Sequence, residues 1–103
     1  MEVRFFNTGV EKFIKAQKVH EARIARSISL LESFGHQLRM PDSRSLGNNL
    51  FELRIDDVPQ IRLFYSFKYN CAFILHGFTK KSQKTPRREL QTALERKSRL
   101  ESI

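Results

Sequence analysis

Apolar positions change their spacing several times along the chain, and each spacing predicts a different element. Val3, Phe5 and Phe6 form a short opening strand. Val10, Phe13, Ile14 and Gln17 then recur at helical spacing. They follow Thr8-Gly-Val-Glu11, a run with the form of a capping box, in which the Thr8 hydroxyl and Glu11 carboxylate satisfy free amides. A second helical stripe runs from about Lys18 to Phe34, with Val19, Ala22, Ile24, Ile28 and Leu31 inward and Gly35 as its stop. The pattern leaves open whether the two helices form a hairpin or one kinked unit.

Residues 36–49 are polar, contain Pro41, Gly47, Asn48 and Asn49, and read as a loop ending in a turn. Two alternating runs follow. In Leu50 to Ile55, Phe51, Leu53 and Ile55 stand against Glu52 and Arg54; in Gln60 to Lys68, Ile61, Leu63, Tyr65 and Phe67 stand opposite Arg62 and Ser66. Cys71 to Phe78 is nearly all apolar, as in a central strand buried on both faces. Residues 56–59 and 68–70 are the turns. Thr85-Pro86 opens a last helix with Leu90, Ala93, Leu94 and Leu100 as its inner stripe. The order β-α-α-β-β-β-α predicts one α+β domain over residues 1–103: an antiparallel sheet with helices packed on one face and the other face partly open.

Composition narrows the function. A 40% hydrophobic content with 9 Phe supports a modest core but no deep enclosed cavity, so an active site here is an open surface or groove. Nineteen basic against 11 acidic residues give a net charge of +8, which favours a polyanionic partner. Cys71 is the only cysteine, which excludes an internal disulfide and a Cys-rich zinc site and suits a reducing compartment. The longest apolar run, Cys71 to Leu75, is far short of the ~20 residues that span a bilayer. With Glu2 and a strand-like run at the start, the expectation is a soluble, cytoplasmic protein.

The most informative stretch is His76 to Glu89, HGFTKKSQKTPRRE, which holds Lys80, Lys81, Lys84, Arg87 and Arg88 within nine residues. From Thr79 to the end there are 8 basic and 3 acidic residues, so 8 − 3 = +5 of the total +8 lies here. Hydroxyls of Thr79, Ser82 and Thr85 and the free amides of a helix start complete a phosphate-binding set. The bland alternative is a solubilising loop. A second feature is Arg54 and Arg62, which a five-residue turn would place directly opposite each other. Facing like charges destabilise a ladder unless an anion lies between them. A four-residue turn would separate them, and two exposed arginines partnered by Glu52 and Asp56 are the plainer reading. With a three-residue turn after Phe67, His76 joins Arg62, although a lone strand histidine is more often structural. His20 and His36 read as surface residues.

Scattered acidic residues do not suit a two-metal nuclease. There is no Gly-rich phosphate loop, no Gly-x-Ser-x-Gly and no His/Cys cluster, so neither metal nor cofactor is expected. The last helix lacks Trp, Tyr or Phe to insert into a membrane. Cationic side chains can nevertheless cleave RNA. The 2′-hydroxyl attacks the adjacent phosphate to give a cyclic phosphate and a free 5′-hydroxyl, provided the oxygens are held in line and the added charge is stabilised.

Leu50-Phe-Glu-Leu-Arg-Ile55, Ile61-Arg-Leu-Phe-Tyr65 and above all His76-Gly-Phe-Thr-Lys-Lys-Ser-Gln-Lys-Thr-Pro86 resemble the phage-derived, HigB-like branch of the RelE/ParE toxin superfamily. The resemblance extends from the first strand to the last helix. It implies a compact RelE-like fold and a ribosome-dependent mRNA interferase, the toxin of a type II toxin–antitoxin system. The implied partners are mRNA, the ribosome and a helix-turn-helix antitoxin of the HigA kind, with DNA contacted only through the antitoxin complex. It places the phosphate-contacting arginine at Arg62, the basic residue of the preceding strand at Arg54 and the basic residues after the last strand at Lys80 and Lys81. These four are the expected catalytic set, with Lys84, Arg87, Arg88 and His76 binding RNA. The chain departs from several RelE-type nucleases in having no Tyr or His near its C-terminus. A ParE-like toxin acting on gyrase and a non-enzymatic nucleic-acid-binding module are the alternatives.

Overall fold

The computed structural model describes residues 1–103. Strand β1 (Glu2–Phe5) leads into α1 (Thr8–Ala16), a 3₁₀ turn (Lys18–His20) and α2 (Glu21–Phe34). A second 3₁₀ turn (Gly35–Gln37) is followed by β2 (Ser43–Gly47), β3 (Leu50–Ile55), β4 (Gln60–Lys68), β5 (Cys71–Lys80) and α3 (Arg87–Glu101). The class is α+β, and the expected order holds apart from the added β2.

Local chemistry sets the helix ends. Asn7, in extended backbone, caps α1: its Oδ1 accepts from the Val10 amide at 3.0 Å, so the cap lies one residue before the Thr8 of the expected box. After Ala16 the Gln17 side chain donates to the Phe13 carbonyl at 3.0 Å, and the chain tightens into the 3₁₀ turn. The helices are therefore separate. Three residues per turn shift the phase of the stripe, so Val19 is 85% exposed and His20, expected at the surface, is 2% exposed. Ala22 is exposed too, and Ile24, Ser27 and Leu31 are the buried residues of α2. Gly35 stops α2 with φ +51°, a backbone that favours glycine.

The sheet runs β1-β5-β4-β3-β2. It is antiparallel except that β1 pairs in parallel with the first half of β5, Glu2↔Cys71 to Phe5↔Ile74. β2 occupies part of the stretch expected as loop. It is an exposed edge strand with one apolar side chain, Leu46, and so shows no alternation. The β4–β5 turn has two residues, Tyr69 and Asn70, both at positive φ, as in type I′ hairpins. A bulge then leaves Leu75 without a partner between the pairs Tyr65↔Ile74 and Phe64↔His76.

Two cores lie on opposite faces. Leu53, Ile61, Leu63, Tyr65 and Ile74 pack under α1 and α2 with Val10, Ile24 and Leu31. Phe64, Leu75 and Phe78 pack under α3 with Ala93 and Leu100. This corrects the expectation of helices on one face. The apolar run of β5 needs cover on both sides, and α3 supplies the second layer, although Leu94 of its expected inner stripe is 40% exposed. No helix is long and apolar enough to cross a membrane.

Candidate nucleic-acid interface

Register places the expected site residues in rows on the α3-side face. Arg54, Arg62 and Phe78 lie opposite one another across three strands; Glu52, Phe64 and His76 form the next row, and Gln60 pairs with Lys80 beyond them. The five-residue connection is thus real, with Arg54 facing Arg62 and Lys80 on the same face. His76, by contrast, is opposite Phe64 rather than Arg62. The two-residue turn and the Leu75 bulge together move it from the position a three-residue turn would give.

The two arginines are paired from within. Arg62 is 1% exposed; its Nη2 is 2.8 Å from Asp56 Oδ1, its Nε 3.9 Å from Glu52 Oε1, and its Nη1 donates to the Ile61 carbonyl at 3.1 Å. Arg54 Nε lies 3.9 Å from the other Asp56 oxygen, and its side chain is 22% exposed. A buried charge persists only when paired, and two guanidiniums with two carboxylates make a neutral group. Arg62 therefore does not face solvent, which corrects the expectation of an exposed strand arginine; its partners Glu52 and Asp56 lie two residues to either side of Arg54, the residue opposite it. His76 is also engaged: its Nε2 donates to Glu89 of α3 at 2.8 Å, and its ring stacks on Phe78 at 6.2 Å between centroids. It ties β5 to α3.

The stretch from the end of β5 to the start of α3 is different. Lys80 is half-buried, Lys81, Lys84, Arg87 and Arg88 are exposed, and none of the five forms an ion pair. Ser82 folds the loop by donating to the Lys84 carbonyl at 2.7 Å. Two hollows flank it. A cleft of about 450 Å³ lies where β5 has run past β1, with Gly77 and Phe13 among its walls and Lys81, Ser82 and Arg88 at its rim. A shallower hollow of about 600 Å³ lies between Val58, Pro59 and Gln60 on one side and Lys80, Lys81 and Ser82 on the other. Lys81 and Ser82 border both.

Sequence reasoning missed Gly77. A Cβ there would meet Phe13 Cδ2 at 2.7 Å and Leu63 Cδ2 at 2.8 Å, so the missing side chain is what lets α1 close against the strand. An isolated glycine in an apolar strand run is the available signal for such a close approach. No three or more His, Cys, Asp or Glu side chains converge on a point that could hold a metal ion.

The family described as Phage derived protein Gp49-like matches residues 11–98. The chain belongs to this family. The match runs from within α1 through most of α3 and so takes in strands β2 to β5, the Arg54–Arg62 pair and the basic loop. No curated protein matches the chain.

Proposed function

We propose that this Gp49-like protein is the toxin of a type II toxin–antitoxin system and an endoribonuclease that cleaves mRNA in the cytoplasm, on the ribosome. The observation that carries this reading is the set of five cations without ion-pair partners, Lys80, Lys81, Lys84, Arg87 and Arg88, of which Lys80, Lys81 and Arg88 line two open hollows. Cations without internal partners keep their charge for a ligand. An open, shallow site suits single-stranded RNA, and exposed lysines and arginines suit its phosphates. Lys80 and Lys81 stabilise the charge that develops as the 2′-hydroxyl attacks the adjacent phosphate. Lys84, Arg87 and Arg88 hold the flanking backbone. A helix-turn-helix antitoxin silences the protein.

Induction followed by mapping of transcript 5′ ends tests the proposal. Wild-type protein should produce new ends carrying 5′-hydroxyls, with 2′,3′-cyclic phosphates on the upstream fragments. Lys81→Ala should slow cleavage by about 10²-fold, the usual effect of losing one transition-state donor, while circular dichroism stays unchanged because the side chain is exposed. Growth arrest without new 5′ ends would rule out the nuclease and point to a protein target such as gyrase.

A further inference from the structure

Asp56 sits where an anion would be held. Its two carboxylate oxygens are divided between two facing arginines, Oδ1 at 2.8 Å from Arg62 Nη2 and Oδ2 at 3.9 Å from Arg54 Nε. The arrangement is incomplete, because Nε of both arginines is buried without a hydrogen-bond partner. Unmet buried donors are costly and call for an acceptor. Arg62 is 1% exposed, whereas the Asp56 side chain is 48% exposed, so the carboxylate is the outer layer over the guanidinium.

The turn that carries Asp56 is lightly held. No backbone hydrogen bond begins or ends in residues 56–59. Val58 is 84% exposed, and the neighbouring Asp57 makes only a surface ion pair with Arg23 at 3.0 Å. Val58 and Pro59 also wall the hollow shared with Lys80 and Lys81. On its other side Asp56 borders a smaller hollow of about 190 Å³ with Arg54, Arg23 and Arg26. Displacing the turn would therefore connect the Lys80–Lys81 hollow with the arginine pair.

We propose that Asp56 is an internal occupant of a phosphate site formed by Arg54 and Arg62, and that a phosphodiester of bound RNA takes its place as the turn over residues 56–59 swings out. The exchange conserves charge: one monoanion replaces another between two guanidiniums, with Glu52 unchanged. A phosphodiester offers two charged oxygens, as a carboxylate does, but on a tetrahedral centre that the turn does not tether, so it can settle against the two unsatisfied Nε–H groups. The proposal deepens the RNA-binding reading above and rests on it, but it does not require cleavage.

The test uses a 2′-O-methyl oligoribonucleotide, which has no nucleophile and cannot be cut. Its affinity is measured by fluorescence anisotropy for the wild type, Asp56→Asn and Asp57→Asn, which make the same change in net charge one residue apart. Asp56→Asn should bind about tenfold more tightly, the equivalent of one charge-assisted hydrogen bond that no longer competes. Asp57→Asn should change affinity by at most about threefold, as expected for an exposed charge. On titration the wild-type Nε–H NMR signals of Arg54 and Arg62 should move to saturation with the anisotropy. Equal gains in the two variants, weaker binding by Asp56→Asn, binding that leaves both Nε–H signals in place, or no binding to any of the three proteins would overturn the proposal. Failure of the nuclease reading looks different: induction in cells yields no new transcript 5′ ends while the 2′-O-methyl strand still binds as described.

Discussion

Tyr65 shows how one side chain's surroundings become a measurable property of the whole fold. Its phenol is buried and hydrogen-bonded to Ser43 Oγ across the sheet. Burial raises its pKa above the ordinary 10.0, and the Ser43 bond and the charge of Arg39 only partly oppose it. The folded chain thus keeps a proton that the unfolded chain gives up at lower pH. This stabilisation is complete below pH 10 and is lost as the pH rises through the folded-state value. Tyr65→Phe should cost about 1 kcal/mol near neutrality, since Ser43 loses its partner, and should flatten the decline of stability above pH 10. Denaturant melts from pH 8 to 11 check both effects. The same scale explains why Arg62 could be identified as important but not placed. Its position on the strand follows from alternation, whereas its opposition to Arg54 depends on a turn length that the sequence left open between four and five residues. Its burial depends on Glu52 and Asp56 folding back over it, which no spacing rule encodes.

At the scale of elements, α1 is nine residues long, too short to be stable alone, so its cap and its contact with β5 carry weight. Asn7→Ala removes the acceptor for the Val10 amide and should cost ~1 kcal/mol, within the usual range for a lost N-cap, read from thermal unfolding. Thr8→Ala should cost less, because Thr8 already lies inside the helix. Most elements were legible because their apolar periods differ: α1 and α2 at helical spacing, β3 and β4 alternating, β5 continuous. β2 was not, because a polar edge strand has no buried face to leave a pattern. The Leu75 bulge was hidden inside a uniformly apolar run, and together with the two-residue turn it places His76 opposite Phe64 rather than Arg62. The two-sided layering was implied by β5 but passed over, since α3 has few apolar residues and covers its face of the sheet with only Ala93 and Leu100 fully buried.

The whole molecule carries +8, and its cations fall into two classes. Arg54 and Arg62 are neutralised by Glu52 and Asp56, and Arg23, Arg26, Lys97 and Arg99 also have acidic partners. Lys80, Lys81, Lys84, Arg87 and Arg88 have none; other cations also lack one, but these five fall within nine residues of one another, so they should dominate the local field that attracts a polyanion at this surface. The distinction has a quantitative consequence. Single-stranded nucleic acid releases counterions as its phosphates are neutralised, with a slope of log affinity against log salt of about −0.7 per phosphate. If all five cations each meet one phosphate, the slope should approach about −3.5. Lys84→Ala and Arg87→Ala should each flatten it by about 0.7, whereas Arg99→Ala, whose charge Glu95 already meets, should leave it nearly unchanged. Affinities measured from 50 to 300 mM salt give the slope directly. A wild-type slope near zero would mean that the loop contacts no backbone. A slope that falls equally with Arg99→Ala would mean that total charge, rather than this one surface, governs binding.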